Sequence, residues 1–400
     1  MIISRSIARP LGAALSIGAL FGGLAACTEP ADQPTSASST PETSSTAGST
    51  AVPTSSTPVV ELTPEELARS RMPQEQRAKA ASLMVVGVDN YDDALAKLRQ
   101  GVGGIFITSW ANPELLTTPG RNIVALREAV GRPFSVSIDY EGGRVQRHEH
   151  VIGSRISARE MAATMSLAEV EDYARDLGHA LRWHGVTVDF APVLDVDAAG
   201  LEIIGDRAFS TDPQVAGDYG AAFARGLGAA GVTPVFKHFP GHGQASGDTH
   251  LELAVTPPVE QVIAHDLPPY ATALAHSEGA VMVGHMVVPG LGDGSSPSSL
   301  DPAVYELLRS GNYPGGVPFG GVAYTDDLTG MRAITDRHTL PQAVVAAVQA
   351  GADRPLFSTS GELGAAIDAL DAAVTAGEIP AERLDESAYR VQLQLITSGS

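Results

Sequence analysis

Ser166–Val196 reads SLAEVEDYARDLGHALRWHGVTVDFAPVLDV, and this stretch decides how the rest of the chain is read. Ser166 and Glu169 have the spacing of a capping box, in which each residue satisfies an otherwise unpaired N–H of the other. Val170, Tyr173, Leu177 and Leu181 then recur at helical spacing along one face, and Gly185 comes next as a stop. At Val186 the pattern changes to an apolar run ending near Asp195. The segment is therefore a one-faced helix leading into a strand that expects cover on both sides.

The same alternation recurs along the chain. Apolar runs fall at Leu83 to Val88, Gly104 to Thr108, Phe134 to Asp139, Val186 to Val196, Val232 to Lys237, Ala280 to Val288, Gly321 to Asp326 and Asp353 to Phe357, with helix-like segments between them. Eight such units predict an α/β fold of the (β/α)8 TIM-barrel type, forming a single catalytic domain over residues 61–400. A doubly wound open sheet is the alternative. After Phe357 comes a helix-like tail with Leu363, Ile367 and Leu370 on one face, and no second domain is expected after the barrel.

Polar residues gather at the ends of these runs. Asp139 ends the third, Asp195 lies late in the fourth, Lys237 and His238 close the fifth, His285 lies late in the sixth and Asp326 closes the seventh. Barrel chemistry is built at the C-terminal ends of the strands, and structural charges have no reason to favour that end.

The N-terminal segment obeys another logic. Arg5 and Arg9 precede an apolar run from Leu11 to Leu24, which ends in Leu24-Ala25-Ala26-Cys27. This layout matches an export signal over residues 1–26, too short and too rich in Gly and Ala for a secure membrane span. Cys27 is the single cysteine of the chain, so an intrachain disulfide is excluded. Its position resembles a bacterial lipobox, which implies lipidation of Cys27, an anchor on the outer face of the cell membrane and an extracytoplasmic location. From Thr28 to about Pro58 the chain is almost entirely Ser, Thr, Pro, Ala, Glu and Gln, too polar to offset chain entropy, and residues 27–60 read as a lipidated tether. A formal net charge of −20 without a basic cluster argues against nucleic acid as a partner.

The densest chemistry is Lys237-His238-Phe239-Pro240-Gly241-His242-Gly243, with Asp248-Thr249-His250 shortly after it. A metal site formed by His238, His242, Asp248 and His250 is one reading, though Pro240, Gly241 and Gly243 oppose the helix on which a His-x3-His pair normally sits. The other pairs Asp248 with His250, the carboxylate orienting an imidazole that exchanges protons with a substrate. Val322-Ala323-Tyr324-Thr325-Asp326-Asp327-Leu328 ends a strand in two acids. Asp326 is placed to attack or stabilise an electrophilic carbon, Asp327 to orient its neighbours or cap the next loop, and loop capping by both is the alternative. In Asp139-Tyr140-Glu141-Gly142-Gly143-Arg144-Val145-Gln146-Arg147 the strand-end acid suits a pair of hydroxyls, and an arginine fork suits a hydroxyl, carboxylate or amide oxygen, unless Asp139 and an arginine simply pair. In Ile204-Gly205-Asp206-Arg207-Ala208-Phe209 the expectation is that Arg207 reaches a substrate and Asp206 fixes it.

Together these motifs, with Phe190-Ala191-Pro192-Val193-Leu194-Asp195-Val196, closely resemble the β-N-acetylhexosaminidases of glycoside hydrolase family 3, from about Leu83 to Phe357. The resemblance implies a retaining, cofactor-free and metal-free enzyme that removes terminal N-acetylglucosamine. Asp326 would be the nucleophile, Asp248/His250 the acid/base dyad, and Asp139, Arg147, Arg207, Lys237 and His238 the substrate contacts. It further implies cell-wall amino-sugar oligosaccharides, such as N-acetylglucosamine linked to N-acetylmuramic acid, as substrates. The chain is expected to act as a monomer, with phosphate competing with water as acceptor. Attack by the substrate's own acetamido group, a sugar-binding lipoprotein without turnover, and metal-dependent hydrolysis are the alternatives. Two departures stand out: an additional Gly in Thr329-Gly330-Met331-Arg332, and Arg354-Pro355 in a run that is normally more apolar.

Overall fold

Strands whose two faces are both apolar need cover on both, and a closed barrel inside a ring of helices provides it. The computed structural model describes residues 62–399. The export signal, Cys27, the tether to residue 60 and the first residue of the expected catalytic domain lie outside the described residues. Among the described residues ten strands occur in chain order: β1 (Val85–Val88), β2 (Gly104–Ile107), β3 (Ser135–Ile138), β4 (Tyr140–Gly142), β5 (Val145–Gln146), β6 (Val188–Asp189), β7 (Thr233–Phe239), β8 (Ala280–Val283), β9 (Ala323–Asp327) and β10 (Arg354–Phe357). Eight of them, β1, β2, β3 and β6 to β10, pair in parallel in chain order, and β10 returns to β1 to close the barrel. The open-sheet alternative is thereby removed.

Each apolar run contributes one barrel strand, with altered limits. The run from Val186 to Val196 yields only Val188–Asp189, because Pro192 has no N–H to give a ladder; beyond it, Val193 makes a single bridge to Lys237. The run from Ala280 stops at Val283, and Val287 bridges instead to Val255. At the last strand, Arg354 pairs with Tyr324 but Leu356 with Asp327, so β9 bulges where Pro355 interrupts β10. The Thr325 hydroxyl accepts the Leu356 N–H there at 3.0 Å.

Ser166 and Glu169 form the capping box of helix Leu167–Trp183, with Val170, Leu177 and Leu181 fully buried and Gly185 in the left-handed region at φ 82°. The lumen is filled by Val85, Phe106, Val188, Phe190, Val235, Met282, Tyr324 and Leu356, a cluster drawn from seven strands or their ends and from no helix. Val86, Ile105, Val136 and Ile138 point the other way, into the layer beneath the helices.

The N-terminal end of the barrel is sealed by helix Ala381–Thr397, where Gln394 Oε1 accepts from Tyr324 Oη (3.0 Å) and from Arg354 Nη1 (3.2 Å). Arg354 is fully buried against the Tyr324 ring. Beside it, buried Asp353 collects Arg309 (2.5 Å), Arg390 (3.2 Å) and Arg383 (3.3 Å). The C-terminal end of the barrel is thereby left as the open one. Among the described residues no helix is long and apolar enough to cross a membrane.

Candidate active site

The residue after β3 begins the site. Asp139 is bound on one side by Arg147 Nη2 at 2.8 Å and on the other by Lys237 Nζ at 2.9 Å. Lys237 comes from β7 and is buried, so its charge requires partners. It also meets Glu141 Oε1 at 2.7 Å, and Glu141 in turn takes Arg207 through both carboxylate oxygens at 2.7 and 2.8 Å. Burial alone would raise the carboxyls of Asp139 and Glu141, but the adjacent cations hold both below the usual range. Lys237 is pushed up against its own desolvation by the same two acids. The result is an alternating lattice of two carboxylates and three cations that stays ionised near neutrality.

The expectation that Asp206 fixes Arg207 needs correction. Its partner is Glu141, while Asp206 pairs with Arg144 at 2.9 Å on the surface. Glu141 was missed as an individual residue, although its place two positions after Asp139 in an alternating segment was the available signal. The segment forms an antiparallel hairpin, β4 with β5, turned by Gly142 and Gly143 at φ 89° and 57°. A side chain at Gly142 would meet the Ile156 carbonyl oxygen at 2.2 Å, so the close approach these glycines permit is to the protein's own backbone.

His238, also on β7, donates from Nδ1 to Asp195 Oδ2 at 2.6 Å, which leaves Nε2 directed towards Asp326 Oδ2 at 3.9 Å. Asp195 Oδ1 accepts the backbone N–H groups of His238 and His242. Against its burial, the interactions with His238 and His242 bring Asp195 down to about 2. Asp326, on β9, would be raised by burial, but His238, His285 and the Asp327 N–H (2.8 Å) set it below the ordinary value. Asp327 accepts from Thr329 N, Thr329 Oγ1 and Ser358 N, each at 2.9 Å, so it caps the next loop as expected. The additional Gly330 lies against that cap, where a Cβ would stand 2.4 Å from Asp327 Oδ2.

The loop after β7 carries Asp248 and His250. Asp248 Oδ1 accepts both the His250 backbone N–H (2.9 Å) and Nδ1 (2.7 Å), so the ring presents Nε2 outward. The His250 side chain is 47% exposed. Burial would raise Asp248, but the bonds from His250 keep it lowered. His242, between the two groups in sequence, is buried with neither ring nitrogen bonded and is held neutral by burial, at about 4. The four residues weighed as metal ligands are thus divided: the His238 ring binds Asp195, the His250 ring binds Asp248, and the His242 ring binds neither. The base of the loop is tied to Asp266, whose Oδ2 accepts from Gln244 Nε2 at 2.8 Å.

Asp139, Arg147, Arg207, Lys237, His238, His250 and Asp326 line one cavity of about 470 Å³ at the C-terminal end of the barrel, with Asp248 held behind His250. Of the catalytic and substrate-contact residues expected from sequence, only Asp248 stands outside the lining, behind His250. Phe106 and Trp110 also line it, and neither carries a sequence signal that marks it for the site. A larger cavity of about 720 Å³ lies at the opposite end, under Gln394 and Arg390, and lacks any comparable grouping of acids and histidines.

The sequence profile of the glycosyl hydrolase family 3 N-terminal domain matches residues 76–393. The chain is 46% identical over 318 residues to the β-hexosaminidase LpqI of Mycobacterium tuberculosis, spanning 79% of this chain and 81% of that protein. A β-hexosaminidase of Xylella fastidiosa is 37% identical over 239 residues, 57% of this chain and 68% of that one. Among solved structures, a family 3 glycosyl hydrolase from Mycobacterium smegmatis superposes with a TM-score of 0.77 at 48% identity, covering 82% of this chain and 98% of that one. A family 3 β-N-acetylglucosaminidase from Paenibacillus does so with a TM-score of 0.75 at 31% identity, covering 82% and 64%. With a barrel closed in chain order, a charged site at its C-terminal end and a family profile matching about four-fifths of its length, the chain belongs to glycoside hydrolase family 3.

Proposed function

We propose that the protein is a retaining exo-β-N-acetylglucosaminidase in which Asp326 is the nucleophile and the Asp248–His250 pair the acid/base. The coarser activity, that of a β-N-acetylhexosaminidase, rests on family membership and on relatives so named over most of the chain. The observation that carries the finer reading is the shared cavity, in which an ionised buried carboxylate and an outward-facing, carboxylate-supported imidazole stand over a lattice of paired charges. Asp139, Lys237, Arg147 and Arg207 offer donors and acceptors to the hydroxyls of the terminal sugar, and His238, oriented by Asp195, faces the same side as Asp326.

In the first step Asp326 Oδ attacks the anomeric carbon as the glycosidic C–O bond breaks, and His250 Nε2–H gives its proton to the departing oxygen. Asp248 supports the imidazolium before this transfer. In the second step neutral His250 takes a proton from water, whose oxygen opens the glycosyl-aspartate ester, so the product keeps its configuration. Because the acid/base is an imidazole rather than a carboxylate, a phosphate acceptor meets less repulsion, and phosphorolysis belongs to the same proposal.

The natural substrate in this reading is an amino-sugar fragment of the cell wall carrying a terminal N-acetylglucosamine. That fits residues 1–26 as an export signal and Cys27 as a lipid anchor on a tether reaching to residue 60. Proton NMR of the first-formed product tests the mechanism: retention with a fluorosugar adduct on Asp326 supports it, and inversion rules out the ester. Intact mass of the membrane-extracted protein tests the anchor: an acylated chain beginning at Cys27 is expected, and an unmodified Cys27 rules it out.

A further inference from the structure

β3, β7 and β9 bring charge to the 470 Å³ cavity, whereas β2 and the segment after it bring aromatic rings. Phe106 is buried beneath Arg147, whose guanidinium carbon lies 5.4 Å from the ring centroid. Trp110 stands further out and is 55% exposed, though it is the kind of side chain whose burial is worth most. Its ring is not left to swing. Nε1 donates to Asp89 Oδ1 at 3.0 Å, and Asp89 is itself pinned by its N–H to Asp93 Oδ2 (2.9 Å) and by the Asn112 N–H to its carbonyl (2.6 Å). The loops after β1 and β2 thus hold an apolar ring at the mouth of the site, with its one polar atom already satisfied.

We propose that Trp110 is the platform for the leaving-group sugar, stacking against the C–H face of the pyranose ring on the far side of the bond that breaks. This rests on the exo-glycosidase reading above and adds to it the class of leaving group. The charged lattice and Asp326 hold the terminal sugar deep in the cavity, so a half-exposed ring at the rim reaches the next unit outward. A pyranose has polar edges and apolar faces, and a pre-positioned indole complements the face at little entropic cost. The residue selects glycans over small or purely polar leaving groups.

The test compares Trp110→Ala and Trp110→Phe with the parent chain on two substrates. One is a β-1,4-linked N-acetylglucosamine disaccharide; the other is N-acetyl-β-glucosaminyl fluoride, which has no leaving-group ring. Trp110→Ala should lower the ratio of kcat/KM for disaccharide to fluoride by about 10-fold or more, and Trp110→Phe should restore most of it. An unchanged ratio would overturn the proposal. A second readout does not depend on turnover. The chain has two tryptophans, so in Trp183→Phe the fluorescence comes from Trp110 alone. Titration with a thio-linked disaccharide should shift that emission while N-acetylglucosamine should not; equal responses would also overturn it. A parent that cleaves neither substrate yet shows the disaccharide-specific shift would sink the glycosidase reading and leave the platform standing.

Discussion

At Asp326 burial opposes ionisation and the neighbouring histidines and amide favour it, and the second influence prevails. Asp326 is therefore charged well below neutrality, and with Asp326 as the proposed nucleophile the activity lost on acidification should not track its titration. Asp326→Asn is expected to lower kcat on a nitrophenyl N-acetylglucosaminide by about 1,000-fold or more, in a protein whose circular dichroism is unchanged. His250→Ala should lower it by about 100- to 10,000-fold on a sugar leaving group and much less on nitrophenolate, which departs without a proton. Equal losses on the two substrates would remove His250 from the acid's role. Asp266 behaves in the opposite sense, for burial pushes its carboxyl up to about 7. A carboxyl raised in the folded state contributes stability that is present below its unfolded value and lost as pH rises through about 7. Asp266→Asn should therefore gain stability relative to the parent between about pH 4 and about pH 8, by about 1 kcal/mol or more in urea unfolding. A pH-independent difference would contradict it.

At the scale of elements, the β4–β5 hairpin shows how backbone geometry and charge placement depend on each other. Its turn needs two residues at positive φ, and the strands on either side carry Glu141 and lead to Arg147. Gly142→Ala would strain the backbone and drive a methyl into the Ile156 carbonyl, for about 1–3 kcal/mol of lost stability. Because Glu141 and Arg147 would shift together, kcat/KM should also fall by about 10-fold, through KM more than kcat. A stability loss with unchanged KM would separate the hairpin from substrate binding. Helix Leu167–Trp183 is the contrasting element. Its cap, stripe and stop are local, so spacing in the sequence predicts them and the structure repeats them. The bulge at Pro355 was signalled by composition, but its partner residues were not, because register is set by the neighbouring strand.

Across the whole molecule, one end of the barrel carries the chemistry and the other carries a seal. Asp353 gathers three arginines from two helices beneath the lumen, each of them 30 or more residues away in sequence. Asp353→Asn should cost about 3–5 kcal/mol, seen as a lower midpoint in guanidinium, because it leaves cations without their buried counter-charge. KM measured well below the melting temperature should not change; a rise in KM would mean that the seal and the site communicate. The sequence alone determined the number and order of the barrel strands, the ends of helix Leu167–Trp183 and which strand ends carry reactive groups. These come from periodicity and from the rule that barrel chemistry sits at one end. Only the tertiary structure decided that Glu141 rather than Asp206 holds Arg207, that Asp195 orients His238, that Arg354 is buried under Gln394 and that Trp110 stands at the rim. The reason is physical: buried charges and exposed rings are placed by whatever else comes within a few ångströms after closure, and in a barrel those neighbours come from strands far apart along the chain.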